Sequence, residues 1–142
     1  MKFIVIDTNC SADFFLRRGI FGDCLEKIIE KTSNIFVTGG RLYREQNAIV
    51  KIRSILLELG RSGRARRYDD VQVNELERVV AQDKRLNSDD PHVIALGKIS
   101  NARHLVSLDI ALHKDWKNKH FIDSPRGTVI TSAIHRRILE TT

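Results

Sequence analysis

The chain has 142 residues, of which 42% are apolar and 30% are charged, and these proportions are typical of one globular domain covering residues 1–142. No apolar run approaches the roughly 20 residues that cross a bilayer, and the segment before Asp7 lacks the long apolar region of a signal peptide. We therefore expect a cytoplasmic protein with no membrane partner. A net charge of +6 favours an anionic partner such as nucleic acid. The two cysteines, Cys10 and Cys24, are too few for a zinc site, and we expect both to be reduced thiols in the core.

The first half of the chain alternates short apolar runs with helical patterns. Phe3–Ile6 is a continuous apolar run with β-branched residues, which is typical of a buried parallel strand. Farther along, Ile49, Ile52, Leu56 and Leu59 recur at the spacing of an amphipathic helix. The predicted elements are, in order, a strand at 3–6, a helix capped by Thr8 or Asn9 that carries residues 14–16 and ends at Gly19, a helix at about 21–31, a strand at 34–37, a turn at 38–40, and a helix, continuous or broken, from about 41 to 59.

The most polar stretch of the sequence, residues 60–67, follows that helix. Its glycines and arginines predict a mobile loop. The arginines could grip a phosphate backbone, and the alternative is a charged loop that is merely solvated. The nucleic-acid-binding candidates in this stretch are Arg61, Arg64, Arg66 and Arg67.

The second half of the chain continues the alternation of helices and short strands. Pro91 fits the first turn of a helix that Ser88 or Asp89 would cap. The predicted elements are a helix at 71–86, a helix from Pro91 through Ile99, a strand at 104–107, a helix that Asp109 opens and that runs through Trp116, a brief strand at 121–122, a turn at 125–127, a strand at 128–130, and a helix at 131–140.

This alternation predicts an α/β fold with a mainly parallel sheet. In sheets of this kind, functional residues gather at the carboxyl ends of the strands. The polar residues that follow the predicted strands are therefore the first candidates for a functional site.

Four acidic residues map to that end of the predicted sheet. Asp7 directly follows the first strand, and Asp109 comes two residues beyond the strand at 104–107. Asp90 lies in the first turn of its helix, and Glu45 lies near the start of the helix after the second strand. Taken singly, each could be a solvated strand end, a helix cap or a surface acid. Taken together, clustered carboxylates repel one another unless a cation neutralises them, and oxygen ligands favour Mg²⁺, Mn²⁺ or Ca²⁺.

Three segments resemble the motifs of PIN-domain nucleases. Residues 5–9, Val-Ile-Asp-Thr-Asn, resemble the first motif, and residues 88–97 resemble the third. Residues 104–109 resemble the fourth, in which a strand ends in Thr or Ser, any residue, and then Asp. Glu45 takes the weaker second motif. The order and spacing agree over essentially the whole chain, and residues 112–117 and 125–127 are similar to a bacterial and archaeal PIN subgroup.

The resemblance implies a three-layer α/β/α sandwich with a central, mainly parallel sheet and a nuclease that hydrolyses RNA with Mg²⁺ or Mn²⁺. Asn9 and Ser107 would support the site by hydrogen bonding to ligands or water. The resemblance also implies the toxin half of a toxin–antitoxin pair, held by a small protein partner, and it implies a homodimer, for which the helix faces around residues 14–15 and 49–59 are the expected surfaces. The residues that would hold one or two metal ions are Asp7, Glu45, Asp90 and Asp109.

Two positions leave choices or depart from the family pattern. Asp89 and Asp90 are adjacent, so either could be the ligand. The step from Asp90 to Val93 and Ile94 matches the family pattern, which would leave Asp89 as the helix cap. Gly97 stands where the family usually has Ala, and a residue without a side chain fits close packing there.

Other readings of the motifs agree less well with the sequence. A haloacid-dehalogenase-like phosphatase needs a second Asp two residues after Asp7, where this chain has Asn9. No glycine-rich turn follows the first strand, as a nucleotide-binding Rossmann unit requires. A response-regulator receiver requires paired acids at the first strand and a Lys late in the chain after another strand, and this sequence does not show that pattern. The main alternative is a PIN fold that binds nucleic acid, or acts as a scaffold, with weak or no catalysis.

The other aromatic and histidine residues near the motifs have simpler predicted roles. His92 lies two residues after Asp90 and, on a helix, would turn about 200° away from it, so we expect a structural role. His113 follows Asp109 by four residues and would share its helix face. We expect Trp116 to belong to the core.

Overall fold

The computed structural model describes residues 2–131 and 135–141. The strands are β1 (Phe3–Ile6), β2 (Ile35–Gly39), β3 (Ala65–Tyr68), β4 (His104–Val106) and β5 (Thr128–Ile130). The helices are α1 (Thr8–Phe15), α2 (Cys24–Lys31), α3 (Gly40–Asn47), α4 (Val50–Arg61), α5 (Asp70–Ala81), α6 (Pro91–Ser100), α7 (Ile110–Lys117) and α8 (Arg136–Thr141), with a short 3-10 turn at Gly19–Phe21. The strands form one all-parallel sheet in the order β3-β2-β1-β4-β5. Helices flank the sheet in a three-layer α/β/α sandwich, as predicted.

The central strand β1 separates two apolar cores. Successive side chains of a strand point to opposite faces, so Val5 packs with α5, α6 and α7, whereas Ile4 and Ile6 pack with α1, α2 and α4. All three side chains are at most 2% exposed. Burial of each contributes about 1.5–3 kcal/mol, which explains why this run holds the middle of the sheet. Cys10 and Cys24 are free thiols in the second core, as predicted.

The junction between β2 and α3 differs from the predicted turn at 38–40. The strand continues through Gly39, and α3 begins directly at Gly40. Gly40 has a φ of 57°, and a Cβ atom there would lie 2.7 Å from Cγ1 of Val73. A residue without a side chain therefore allows the chain to pass from strand to helix without a loop. The sharp junction places the first turn of α3 at the carboxyl end of the sheet.

The loop predicted at 60–67 is confined to residues 62–64, and the rest of that prediction is wrong. Residues up to Arg61 complete α4, and Ala65–Tyr68 form the edge strand β3, which pairs with β2 in parallel. An edge strand bonds to one neighbour only and exposes much of its length, so it can carry charged side chains. Both Arg66 and Arg67 are exposed. Strand β3 is polar because it lies at the edge of the sheet, and its backbone pairs with that of β2.

Several other boundaries were predicted less well than β1 and β5, whose bounds are confirmed. Helix α1 already begins at Thr8, so Thr8 and Asn9 lie in its first turn and do not cap it, and α1 ends before Gly19. Helix α5 ends at Ala81, five residues earlier than predicted. Residues 121–122 form a turn and a bend in place of the predicted strand. Of the predicted helix at 131–140, residues 132–134 lie outside the described residues, and α8 begins at Arg136.

The surfaces predicted for a homodimer differ in their exposure. Phe14 and Phe15 are at most 1% exposed and pack inside the second core, so they cannot form an interface. Helix α4 does expose apolar side chains, including Val50 at 61% and Leu57 at 56%. Within residues 2–131 and 135–141, none of the helices combines the length and the apolar character needed to cross a bilayer.

Candidate functional site

Asp7 is buried at the carboxyl end of β1. The residue is 3% exposed, and its backbone N–H donates to the carbonyl of Val106 in β4 at 2.9 Å. The hydroxyl of Ser107 donates to Oδ2 of Asp7 at 2.8 Å. Burial raises the pKa of Asp7, the hydrogen bond from Ser107 opposes that rise, and the negative charges of Asp109 and Glu45 add to it. The position after the first strand is therefore an acid held inside the protein beside other acids.

Asp109 occupies the N-cap position of α7, as predicted. Its Oδ1 accepts hydrogen bonds from the backbone N–H groups of Ala111 at 2.9 Å and Leu112 at 3.3 Å. Its own N–H donates to Oγ of Ser107 at 3.1 Å. Because the hydroxyl of Ser107 also donates to Asp7, one serine links the two acids at the ends of neighbouring strands β1 and β4.

Asp90 stands directly before α6, with its side chain not used as a cap. The pKa of Asp90 is raised to about 6, first by burial, then by the negative charge of Asp7 and by contact and repulsion with the carboxyl of Asp109. The nearby charge of Arg41 opposes this rise. The N-cap position of α6 is Asp90, so the prediction that Asp89 caps the helix is wrong. Asp89 is exposed.

Glu45 approaches the group from α3. Its Oε1 lies 3.3 Å from Nε of Arg41 and 3.3 Å from Nε2 of His92. Neither contact has the geometry of a hydrogen bond, and Glu45 Oε1 is a buried atom without a hydrogen-bond partner within the described residues. Burial lowers the pKa of His92 to about 4, so the imidazole is neutral near pH 7. The expectation that His92 points away from the site is wrong, because it contacts one of the four acids.

Four segments far apart in sequence thus bring their carboxylates to one edge of the sheet. Burial is the largest cause of the raised pKa of both Asp7 and Asp90, and charge repulsion adds to it. Asp7 is repelled by Asp109 and Glu45, and Asp90 is repelled by Asp7 and Asp109. The donor atoms are all oxygens, which suits a hard divalent cation such as Mg²⁺ or Mn²⁺. The unpartnered buried oxygen of Glu45 fits the same assignment. As the side chains stand, no three His, Cys, Asp or Glu groups among the described residues surround a common point closely enough to hold an ion, so a cation would have to draw them together.

Gln46 is a supporting residue that sequence reasoning missed. Its side chain is 1% exposed, and its Nε2 donates to the carbonyl of Ile6 and to Oγ of Ser11, both at 3.1 Å. Its Oε1 accepts from the hydroxyl of Thr38 at 2.7 Å. The amide therefore ties α3, which carries Glu45, to the ends of β1 and β2. The available signal was its position four residues after the buried Leu42, which places a polar side chain on the inward face of α3.

The remaining candidates near the acids occupy different environments. Asn9 is exposed on α1, and its side chain forms no hydrogen bond within the part of the chain that the structure describes. His113 places Nε2 2.6 Å from the carbonyl oxygen of Ser107 and so joins α7 to the end of β4. Trp116 is fully buried and donates from Nε1 to the carbonyl of Arg103 at 3.0 Å, which confirms its place in the core.

The four arginines predicted to bind nucleic acid fall into two groups. Arg64 is partly buried and uses its guanidinium to satisfy backbone carbonyls at and after the end of α2. Arg61, Arg66 and Arg67 are exposed. Arg67 lies 3.6 Å above the ring of Tyr43 and forms an ion pair with Asp70 at 2.8 Å. The carbonyls bound by Arg64, at 3.0–3.1 Å, belong to Ile28, Ile29, Thr32 and Asn34.

A scan of the chain against protein-family models finds no match, and neither does a search of the curated proteins.

Proposed function

We propose that the protein is a Mg²⁺- or Mn²⁺-dependent endoribonuclease that hydrolyses phosphodiester bonds at the edge of the sheet. The observation that carries this proposal is the grouping of the four carboxylates at one edge of the sheet, where Asp7 is buried and shares Ser107 with Asp109. Burial and the negative charges of Asp7 and Asp109 raise the pKa of Asp90, and the charge of Arg41 does not cancel that rise. A chain gains nothing in stability from crowding carboxylates in this way. A divalent cation removes the repulsion, and the motifs that resemble PIN-domain nucleases place the same acids in that role.

The chain's own residues would prepare the site for the metal and the substrate. When bound, Mg²⁺ or Mn²⁺ lowers the pKa of a water molecule and polarises the phosphate. Ser107 donates a hydrogen bond to Oδ2 of Asp7, and the backbone of α7 donates hydrogen bonds to Oδ1 of Asp109. These bonds orient both carboxylates before any metal binds. Asp90 does not cap its helix, and Oε1 of Glu45 has no hydrogen-bond partner within the described residues, so the backbone constrains these two carboxylates less.

RNA is the proposed substrate because the protein is basic and carries exposed arginines beside the sheet. Arg66 and Arg67 lie on edge strand β3, and Arg61 ends the helix before it. Attack by water leaves a 5′-phosphate and a 3′-hydroxyl and does not use the ribose 2′-hydroxyl. Cleavage of single-stranded DNA is therefore an outcome that the assay has to measure, alongside cleavage of RNA.

Labelled single-stranded RNA incubated with the purified protein and Mn²⁺ tests the proposal directly. We expect cleavage that is abolished by EDTA and strongly reduced in Asp7→Asn and Asp90→Asn. Asp123→Asn is the matched control, because Asp123 is an exposed acid in a turn outside the acidic group. Comparing Asp89→Asn with Asp90→Asn decides between the adjacent acids, and we expect the larger loss from Asp90. Cleavage that persists both in EDTA and in Asp7→Asn would refute the metal-carboxylate mechanism.

A binding or scaffold protein without catalysis is the second candidate. It is favoured by the placement of Glu45 between Arg41 and His92, since an acid that already has a cation beside it has less need of a metal. Calorimetric titration with Mn²⁺ separates the two functions. Binding that is lost in Asp7→Asn supports the nuclease, whereas RNA binding without any Mn²⁺ binding supports the scaffold.

The proposal extends to a cytoplasmic toxin with a protein partner, on the strength of the resemblance to toxin-type PIN nucleases. Expression in a bacterial host should then slow growth, and Asp7→Asn should not.

The exposed apolar side chains of α4 are the proposed surface for a homodimer. Light scattering should give the mass of a dimer for the wild-type protein and the mass of a monomer for Leu57→Glu. The same mass for both proteins would contradict this surface.

A further inference from the structure

A carboxylate outside the acidic group, that of Asp115, is fully buried in α7. Within the described residues it forms no ion pair, and its hydrogen bonds all come from the segment that precedes α6. The N–H of Asn87 donates to Oδ1 at 2.8 Å, the side-chain amide of Asn87 donates to Oδ1 at 3.0 Å, and the N–H of Ser88 donates to Oδ2 at 2.8 Å. A buried carboxylate is costly unless such donors satisfy it, so these bonds fix the segment firmly to α7.

The segment held by Asp115 leads directly to Asp90. Ser88 is 7% exposed, and its hydroxyl oxygen accepts a hydrogen bond from the N–H of Asp90 at 3.3 Å. Asp115 thus fixes the backbone of Ser88, and the side chain of Ser88 fixes the backbone of Asp90. Asp90 itself is not tied down by a cap hydrogen bond of its side chain. The relay therefore fixes the backbone from which the carboxyl of Asp90 extends toward Asp109.

The same helix also carries the neighbouring acid. Asp109 is the N-cap of α7, and Asp115 follows six residues later, about 9 Å along the helix axis at 1.5 Å per residue. His113 and Trp116 anchor the helix to the end of β4 and to the residue before it through the carbonyls of Ser107 and Arg103. A rigid helix that is bound to the sheet thus fixes Asp109 directly and Asp90 through its contact with residues 87–88.

We propose that Asp115 is a positioning residue that sets the separation between the carboxyls of Asp90 and Asp109. Its value to the protein rests on the proposed nuclease function, because that separation matters when a cation binds. Asp115 itself does not touch the cation or the substrate. Partners hydrogen-bonded directly to metal ligands commonly alter metal affinity or activity by roughly 10- to 100-fold when they are replaced. Asp115 acts one step farther away, through Ser88, so we expect an effect at the lower end of that range, about 10-fold.

The test begins with the metal-free protein, so that it does not depend on catalysis. Asp115→Asn keeps the size of the side chain but offers one oxygen in place of two. We expect the amide resonances of Asp90 in ¹⁵N-labelled protein to shift. Asp83→Asn is a control, since Asp83 accepts a backbone hydrogen bond from Arg85 at 2.9 Å in the same connection, away from the acids. Leu59→Ala is the second control, because it removes a buried side chain from the core on the other side of the sheet and destabilises the fold without touching the relay.

Titration with Mn²⁺ and steady-state cleavage of RNA follow on the same variants. Asp115→Asn should weaken Mn²⁺ binding and lower kcat with little change in KM, while Asp83→Asn and Leu59→Ala should match the wild type in both. Ser88→Ala breaks the relay but leaves Asp115 with its backbone donors, and it should weaken Mn²⁺ binding in the same direction. This variant carries the test if Asp115→Asn does not fold.

The outcomes separate the two proposals. An unshifted Asp90 amide in folded Asp115→Asn, or wild-type Mn²⁺ affinity in Ser88→Ala, overturns the positioning role. Loss of Mn²⁺ binding in Leu59→Ala equal to that in Asp115→Asn also overturns it, because a general loss of stability then explains the effect. A wild-type protein that binds no Mn²⁺ and cuts no RNA refutes the nuclease, and the Asp90 amide still decides whether Asp115 fixes that residue.

Discussion

The hydroxyl of Ser107 donates to Oδ2 of Asp7 across 2.8 Å and joins the ends of two neighbouring strands. It also accepts the N–H of Asp109, so both acids depend on it. A buried acceptor that loses its donor costs about 1–3 kcal/mol. The serine therefore stabilises the fold at the point where two carboxylates would otherwise only repel.

Replacing Ser107 by Ala should lower the free energy of unfolding by about 1–3 kcal/mol and weaken Mn²⁺ binding, because Asp7 then lacks the donor that holds it. Urea denaturation and calorimetry measure the two effects. Ser100→Ala is the matched control: Ser100 is also buried and its hydroxyl also accepts a backbone N–H, but it lies at the far end of α6. We expect Ser100→Ala to lose stability while its Mn²⁺ affinity stays unchanged. Equal Mn²⁺ affinity in both variants would contradict the prediction.

The pKa of Asp90 predicts a pH dependence of stability in the metal-free protein. Its folded pKa is raised from 3.8 to about 6, so the stabilisation from this group is fully present below 3.8 and is lost as the pH rises through about 6. Asp90→Asn removes this effect. The variant should gain stability relative to the wild type between about pH 4 and about pH 7, as measured by urea denaturation at both values.

Two buried histidines change stability with pH in the direction opposite to Asp90. The pH dependence of Asp90 is therefore measured as the difference in stability between Asp90→Asn and the wild type. Burial lowers the pKa of both His92 and His104 from 6.5 to about 4, so the stabilisation they give is present above 6.5 and is lost as the pH falls toward 4. Both proteins share this loss. A difference between Asp90→Asn and the wild type that stays constant with pH would show that Asp90 is not perturbed.

Arg64 and Arg61 should respond differently to replacement, although both lie in the segment predicted to bind nucleic acid. Arg64→Met should lower the free energy of unfolding by about 1–3 kcal/mol, because the guanidinium satisfies carbonyls at and after the end of α2. Arg61→Met should leave stability nearly unchanged and reduce the slope of RNA affinity against salt concentration. An unchanged slope in Arg61→Met would remove Arg61 from the proposed RNA surface.

Gly97→Ala should destabilise the protein, although Ala favours helices by about 1 kcal/mol over Gly. A Cβ atom at Gly97 would lie 2.5 Å from Cζ3 of Trp116. The indole is fully buried and anchored through Nε1, so it has little room to move. Overpacking of this kind costs about 1–3 kcal/mol, and thermal denaturation should show the loss. Gly60→Ala, in α4 with no atom within 4 Å of its added Cβ, should be stabilising by comparison.

The sequence indicated the buried parts of the fold more accurately than the exposed ones. Strands β1 and β5 were predicted to the residue because both are short runs with β-branched residues, which favour buried strands over helices. Strand β3 was missed because an edge strand needs only one neighbour and can expose Arg66 and Arg67. Its pairing with β2 is a long-range contact that no local pattern encodes.

At the site, too, residues were predicted well where a local pattern marks them and poorly where contacts between distant segments place them. The grouping of Asp7 and Asp109 was predicted because acids that follow parallel strands lie at the same edge of the sheet. His92 was placed on the wrong side because the helical angle from Asp90 was used, yet Asp90 stands outside the helix with a φ of −120° and a ψ of 54°. Gln46 and Asp115 were missed because a buried polar side chain is recognised by the partners that satisfy it, and those partners lie on other elements.

The hydrogen bond from Ser107 to Asp7 spans 100 positions of the chain, and β1 sits between a strand made early and a strand made late. A ribosome releases Asp7 about 100 residues before Ser107 and Asp109. The nascent chain therefore cannot assemble the acidic group until Asp109 has been made. Under the proposed nuclease function, this order of synthesis delays RNA cleavage by the nascent chain until the second half of the domain has been made.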